Sequence, residues 1–137
     1  MGLTADGMLH AWGGNDHGEC VVPVLPKGER WASASAGFEY SLAISTVGTL
    51  HAWGKDDSRA CSGAPELGPG ERWSAVSAGH CYSLGLTASG HLHAWGNDSC
   101  RKCSGSPALT SGESWVAISA GKHHSLGLTS AGMVHAW

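Results

Sequence analysis

The chain has 137 residues, of which 42% are hydrophobic and only 14% charged, a balance that excludes an intrinsically disordered protein and suffices for one packed domain. Its formal net charge of −3, with histidine neutral, argues against extended electrostatic binding of nucleic acid, which needs clustered Lys and Arg. No apolar run reaches the length of a membrane span, and residues 1–13 do not resemble a signal peptide. Five cysteines, an odd number, then predict reduced thiols and an intracellular protein, cytoplasmic or nuclear.

A repeat of about 42 residues organises the chain. The string Gly-x-(Leu/Val)-His-Ala-Trp occurs four times, at steps of 41, 42 and 42 residues, starting at Gly7, Gly48, Gly90 and Gly132. A second string, Ser-Ala-Gly, keeps the same phase and starts at Ser35, Ser77 and Ser119. Several columns in one phase indicate a repeat array, in which each unit is one supersecondary element.

In chain order, the first strand signal is Gly2-Leu3-Thr4, which matches residues 85–87 of a later unit. A complete unit reads as a short strand at 73–77, a second at 82–87, a turn ending at Gly90 and a third strand at 91–95. The Gly/Pro-rich stretch at 20–25 is a possible fourth strand that the pattern leaves open. No segment has a sustained 3.6-residue apolar period, so we predict an all-β fold with little or no helix.

Two stretches of one unit carry a family resemblance. They are residues 73–87, Trp-Ser-Ala-Val-Ser-Ala-Gly-His-Cys-Tyr-Ser-Leu-Gly-Leu-Thr, and residues 90–98, Gly-x-Leu-His-Ala-Trp-Gly-Asn-Asp. Together they resemble the regulator-of-chromosome-condensation (RCC) repeat family, in its short-repeat form. The resemblance covers essentially the whole chain and implies a β-propeller, usually of seven blades. We therefore predict a partial β-propeller of about three blades, with repeats at approximately 7–47, 48–89 and 90–131 and a partial repeat at 132–137.

Three blades cannot close a ring, because known propellers have at least about four. We expect a fragment of a longer propeller, and assembly of several copies into a ring is the alternative. Blade faces without a neighbour expose apolar surface and strand edges, so self-association is expected.

The family implies a function in protein binding. Its members include a nucleotide exchange factor for the Ran GTPase, ubiquitin-ligase subunits, a plant ultraviolet-B photoreceptor and secreted β-lactamase-inhibiting proteins, which all bind proteins through propeller loops. We predict a protein–protein interaction scaffold and not an enzyme; a regulatory protein, such as an exchange factor for a small GTPase or a ubiquitin-ligase adaptor, is the alternative. The photoreceptor's repeated Gly-Trp-Arg-His-Thr string has no tryptophan at the matching positions 37–41, 79–83 and 121–125, which disfavours light sensing.

The candidate partner-contact residues lie in the turn after each Ser-Ala-Gly string, where the repeat varies between otherwise fixed neighbours. They are Phe38, Glu39, His80, Cys81, Lys122 and His123. Positions that vary in a rigid repeat are not needed to build the blade, so they are free to contact a partner. Unconstrained surface is the simpler interpretation of the same variation, because most exposed loop residues bind nothing.

Three other repeated columns have simpler structural explanations. His10, His51, His93 and His135 recur once per blade, which favours packing over a metal site, because ligands of one ion must converge. Cys20, Cys61 and Cys103 share one column, and the pair Cys100 and Cys103 is a weak zinc or disulfide signal. The Asn/Asp pairs at 15–16, 56–57 and 97–98 favour turns over calcium. We predict no catalytic residue, no cofactor and no metal.

Overall fold

The computed structural model describes residues 1–137 and contains eleven strands in four antiparallel sheets. The first two strands, β1 (Gly2–Leu3) and β2 (Leu9–His10), form a two-stranded half-blade. Blade I consists of β3 (Trp31–Ala36), β4 (Tyr40–Ser45) and β5 (Leu50–Gly54). Blade II consists of β6 (Trp73–Ala78), β7 (Tyr82–Thr87) and β8 (Leu92–Gly96), and blade III of β9 (Trp115–Ala120), β10 (Ser125–Thr129) and β11 (Val134–Ala136).

The all-β prediction is confirmed, since the only helical element is a single 3-10 turn at Ser99–Arg101. The stretch at 20–25 is not a strand; it belongs to the first of three linkers that connect the sheets, here called linker 1 (11–30), linker 2 (55–72) and linker 3 (97–114). No helix of the structure has the length and apolar character needed to cross a membrane.

Glycine closes the turn between the second and third strands of each blade. Gly48 has a φ of 84°, in the left-handed region, and its N–H donates to the Ser45 carbonyl at 2.9 Å. A Cβ on Gly48 would lie 2.5 Å from the Cβ of Arg72, which precedes blade II. The glycine is therefore required both by the turn and by the close approach of the next blade.

The core lies between blades and not within them. Leu42 and Ile44 of blade I are almost fully buried, and they pack against the blade II side chains of Trp73, Val76 and Trp95. A three-stranded sheet has two faces and cannot cover both alone, so each blade depends on its neighbours for burial. A second cluster, formed by Leu9, Trp31 and Ala43, joins the half-blade to blade I in the same way.

Each linker is fixed to the blade that it accompanies by one carbonyl group. The Ala60 carbonyl of linker 2 accepts hydrogen bonds from Trp95 Nε1 at 2.7 Å and from Ser83 Oγ at 2.8 Å. The same two bonds converge on the Glu19 carbonyl, from Trp53 and Ser41, and on the Lys102 carbonyl, from Trp137 and Ser125 (2.8–2.9 Å). Because every linker is held by this same pair of hydrogen bonds, the tryptophan and the serine that donate them recur once in each repeat.

Candidate protein-contact ridge

The three turns that join the first and second strands of the blades form a continuous row. Phe38 N donates across the blade boundary to the Gly79 carbonyl at 3.3 Å, and His80 N donates to the Gly121 carbonyl at 3.4 Å. The structure therefore brings together the six predicted contact residues, which we call the turn ridge: Phe38, Glu39, His80, Cys81, Lys122 and His123.

The backbone of the turn ridge is held in a fixed and partly strained form. Glu39 and Cys81 both have a φ of 63°, a left-handed conformation that costs a non-glycine residue roughly 1–2 kcal/mol. Each turn is closed by a bond from its glycine N–H, as from Gly37 to the Tyr40 carbonyl at 2.9 Å. Strained backbone that the surrounding structure maintains is often found at functional sites.

An aromatic stack forms the centre of the ridge. The rings of Phe38 and His80 lie nearly parallel, with centroids 4.6 Å apart and an interplanar angle of 28°. Phe38 is nevertheless 52% exposed. The stack presents a partly exposed aromatic surface, and the stacking restricts the rotamers of both side chains, which lowers the entropy cost of binding.

One end of the ridge carries an ion-pair network centred on Glu39. Lys55 Nζ lies 2.7 Å from Glu39 Oε2, and this bond raises the pKa of Lys55. Lys55 Nζ also lies 3.8 Å from Asp57, and His17 Nε2 lies 3.7 Å from Glu39. Lys55 and His17 were not predicted from the sequence because they belong to linkers; the one available signal was that lysine replaces Gly14 and Asn97 in its column.

The other end of the ridge is basic. Lys122 and His123 are exposed on the β9–β10 turn. In linker 3, by contrast, Lys102 is buried, with its Nζ 4.9 Å from the Tyr82 ring centroid and 3.4 Å from Ser99 Oγ. At one end of the ridge the Glu39 carboxylate is neutralised by Lys55, the centre is the stack of Phe38 on His80, and the other end carries the exposed positive charge of Lys122.

The repeated histidines pack edge-on against the first-strand tryptophan of their own blade. The ring centroids of Trp73 and His93 lie 5.4 Å apart at 76°, and burial lowers the pKa of His93. The equivalent pairs are Trp31 with His51 and Trp115 with His135, at 5.0 and 5.5 Å. His10 belongs to the half-blade, which has no first strand with such a tryptophan. The four repeated histidines therefore lie in four separate sheets, which is what we expect if they serve packing.

The cysteine and Asn/Asp columns together build the start of each linker. Asp56 Oδ1 accepts the N–H of Cys61 at 2.7 Å, and the Cys61 thiol faces the Lys55 carbonyl at 3.6 Å. The same backbone bond joins Asn15 to Cys20 and Asp98 to Cys103, at 2.8 and 2.6 Å. All five cysteines are free thiols, and Cys100 is exposed with a φ of 66°. These are the turn contacts that the Asn/Asp pattern predicts.

The largest cleft, of about 800 Å³, lies away from the ridge, between β5 and linker 2. Its lining includes Asp56, whose carboxylate already accepts the N–H groups of Cys61 and Ser62. Burial raises the pKa of the Cys61 thiol to about 11, so the thiol is protonated at neutral pH. The Asp56 carboxylate and the Cys61 thiol therefore both contact backbone groups of linker 2.

Comparison with known proteins gives structural matches alone, since no family model and no curated protein matches the chain. The structure of Prp20p from Saccharomyces cerevisiae superposes with a TM-score of 0.78 at 18% identity, covering 98% of this chain and 42% of that one. The chain is a partial β-propeller. Human WBSCR16 matches the partial propeller with a TM-score of 0.68 at 22% identity over 82% of this chain and 36% of its own.

A third match, the ectodomain of the Physcomitrella patens receptor kinase CR4, has a TM-score of 0.70 at 22% identity and covers 93% of this chain. The partial propeller spans 35–42% of the length of these three proteins. Identities of this size show the fold, and the predicted partial propeller of about three blades is confirmed at that level.

Proposed function

We propose that the partial propeller is a protein–protein interaction scaffold of the RCC-repeat class and that its partner docks across the turn ridge. The observation that carries the proposal is the exposed stack of Phe38 on His80, held on backbone that is hydrogen-bonded from blade to blade. Aromatic side chains on rigid supports are the residues that dominate binding energy at protein interfaces.

The charges of the ridge indicate the chemistry of the partner. Glu39 is paired with Lys55, whereas Lys122 and His123 are exposed and have no carboxylate within ion-pair distance. A complementary segment would place an apolar or aromatic side chain on the Phe38–His80 stack and a carboxylate beside Lys122. Such rim charges chiefly increase the association rate and the specificity.

The structural matches support a scaffold role at the level of the class. The Prp20p structure was studied together with its binding to Gsp1p and histones, and a second structure shows Kap60 bound to yeast RCC1 (Prp20). These partners belong to those proteins. A role as an exchange factor or ubiquitin-ligase adaptor would be a narrower form of the same proposal, using the same ridge.

The test is affinity capture from a cell extract, followed by measurement of the dissociation constant with the purified captured protein. We compare Phe38→Ser and Lys122→Glu with the control Val47→Ser, which lies in the β4–β5 turn at the opposite end of blade I. Val47 is 50% exposed, so the control removes a similarly exposed apolar side chain.

We expect Phe38→Ser to weaken binding by about tenfold or more, as for an aromatic hot spot, and Lys122→Glu to weaken it chiefly through the association rate. Val47→Ser should bind like the unmodified chain, and all three variants should show unchanged thermal unfolding. Equal binding by Phe38→Ser and Val47→Ser would exclude the turn ridge as the docking surface.

A further inference from the structure

The outermost strand of blade I has an unpaired edge. The blades of this chain have three strands, whereas propeller blades typically have four, so β5 is the last strand of its sheet. An edge strand presents a row of N–H and C=O groups that can pair with another extended chain. Blade II follows β5 in the sequence, so this edge is internal to the chain.

The pairing of β5 with β4 determines which backbone groups face outward. Ser45 N donates to the Thr49 carbonyl at 3.0 Å, and the register then continues along β5 without a shift. Because alternate residues of an antiparallel strand bond to the same neighbour, the odd-numbered residues of β5 bond to β4. The N–H and C=O groups of Leu50 and Ala52 therefore point away from β4, and no other group of the chain bonds to them.

The cleft of about 800 Å³ lies along this edge. Its lining includes Leu50 and Ala52 of β5, Ala64 and Leu67 of linker 2, and Trp73 of blade II. The β5 and linker 2 side chains pack against the core between blades I and II but are only partly buried. The cleft therefore combines unpaired strand backbone with apolar surface that the chain itself does not cover.

The charged residues that line the cleft are both acidic. They are Asp56 and Glu66, and no lysine, arginine or histidine lines it. The Asp56 carboxylate already accepts the N–H groups of Cys61 and Ser62, whereas Glu66 is exposed and has no cationic group within ion-pair distance. Linker 3 has Ala108 at the corresponding position. A basic side chain of an occupant is therefore attracted to the cleft beside β5 and has no matching carboxylate at that position beside β8.

We propose that an extended segment of a partner protein, in which small apolar and basic residues alternate, binds in this cleft as a fourth strand of blade I. Its backbone bonds to Leu50 and Ala52, and its apolar side chains contact Leu67 and Trp73. One basic side chain pairs with Glu66. In such strand addition, main-chain hydrogen bonds supply affinity and alternate side chains supply specificity. The site is separate from the turn ridge, and the proposal goes beyond the proposed function and does not depend on it.

The test uses the synthetic peptide acetyl-Lys-Val-Lys-Val-Lys-Val-Lys-amide as the probe, with binding measured by calorimetry and by NMR of the isotope-labelled chain. Two further forms of the peptide are N-methylated, one on every valine amide and the other on every lysine amide. Only one of these two sets of N–H groups faces the sheet when a strand pairs along one edge. One form should therefore lose affinity by at least about tenfold, while the other binds like the unmethylated peptide. The amide signals of Leu50 and Ala52 should shift most.

Two pairs of protein variants complete the test, with circular dichroism to confirm that each one folds. Ala52→Pro removes one outward N–H, and its control is Ala94→Pro at the equivalent position of β8. Glu66→Lys reverses the charge in the cleft, and its control is Asp16→Lys, which makes the same change on an exposed residue of linker 1.

We expect Ala52→Pro and Glu66→Lys each to weaken binding by at least about fivefold, while both controls bind like the unmodified chain. If Ala52→Pro does not fold, Glu66→Lys and the two methylated peptides decide the question. The proposal is overturned if the unmethylated peptide does not bind, if the two methylated forms bind equally, or if Glu66→Lys binds like its control.

Discussion

Blade II and blade III contain the same pentapeptide, Ser-Leu-Gly-Leu-Thr, at residues 83–87 and 125–129, as their central strand. Both copies form the same antiparallel strand with the same neighbours within the sheet. Leu84 is 0% exposed, however, while Leu126 is half-buried. The difference lies in the adjacent blade, because blade III lies beside blade II, whereas within residues 1–137 no further sheet lies beside blade III.

The comparison shows that local sequence specifies the strand and its turns, while burial depends on the neighbouring sheet. Stability should therefore be unequal along the chain, highest in blade II and lowest at the two ends. Variants made in pairs, one in a sandwiched position and one at the equivalent open position, measure this inequality directly.

The largest difference is expected for the leucine pair. Leu84→Ala removes a fully buried side chain and should lower the free energy of unfolding by about 2–5 kcal/mol, whereas Leu126→Ala should cost about 1 kcal/mol. Urea unfolding followed by tryptophan fluorescence measures both. Equal losses would mean that the two blades are covered to the same extent.

The second pair concerns a hydroxyl that crosses between blades. Tyr40 OH donates to the Tyr82 carbonyl, lies 3.0 Å from Ser83 Oγ and accepts the Gly79 N–H at 3.1 Å. Tyr40→Phe removes this shared partner, while the Gly79 N–H stays bonded to the Tyr82 carbonyl and Ser83 Oγ to the Ala60 carbonyl, so the change should cost about 0.5–1.5 kcal/mol. His124 stands in the tyrosine column of blade III, where it is exposed, so His124→Phe should change stability by less than about 0.5 kcal/mol. A comparable loss in both variants would remove the inter-blade bond as the cause.

The third pair compares two turn glycines. Both Gly48→Ala and Gly132→Ala place a side chain at a left-handed φ, which costs about 1–2 kcal/mol. Gly48→Ala should cost about 1 kcal/mol more, because its Cβ would collide with Arg72, while Gly132 faces open space. Differential scanning calorimetry of the two variants measures the excess, and a larger loss in Gly132→Ala would show that the approach of Arg72 is not what constrains Gly48.

The smallest expected effect is a pH dependence in blade II. Burial against Trp73 lowers the pKa of His93 below 6.5, with the nearby Glu71 carboxylate acting in the opposite direction and His91 in the same one. As the pH falls through 6.5, the unfolded chain binds a proton that the folded blade disfavours, so stability decreases on acidification. His93→Gln should reduce the shift of the urea midpoint between about pH 7.5 and about pH 5.5. An unchanged shift would assign the dependence to other groups.

Much of the fold could be predicted from the sequence because the repeat displays each structural requirement several times. The glycine at position 90, the alternation at 82–87 and the tryptophan column each report a local geometry that recurs. The stretch at 20–25 is ambiguous in the sequence because its one proline and three valines suit either an edge strand or a linker. Its conformation is determined by tertiary contacts, namely the packing of Val22 and Leu25 against the cluster of Leu9, Trp31 and Ala43.

The candidate site was predictable as a set of positions but not as a surface. Variation at Phe38 and His80 marked both residues, yet no pattern in the sequence indicated that their rings stack across a blade boundary. The contacts of Lys55 and Lys102 could not be predicted from the sequence, because both residues lie in linkers, where charged side chains are usually solvated. Their contacts with Glu39 and with the Tyr82 ring arise only when the linker folds back onto the sheets.

Native-state hydrogen exchange of β7 and β10 tests most directly whether each blade is stabilised by the next blade in the chain. The identical pentapeptides have nearly the same intrinsic exchange rates, so a difference in protection reports the surroundings of each strand. We predict that the β7 amides are protected at least about tenfold more than the equivalent β10 amides. Equal protection of the two strands would show that each blade is stable by itself and would contradict this account.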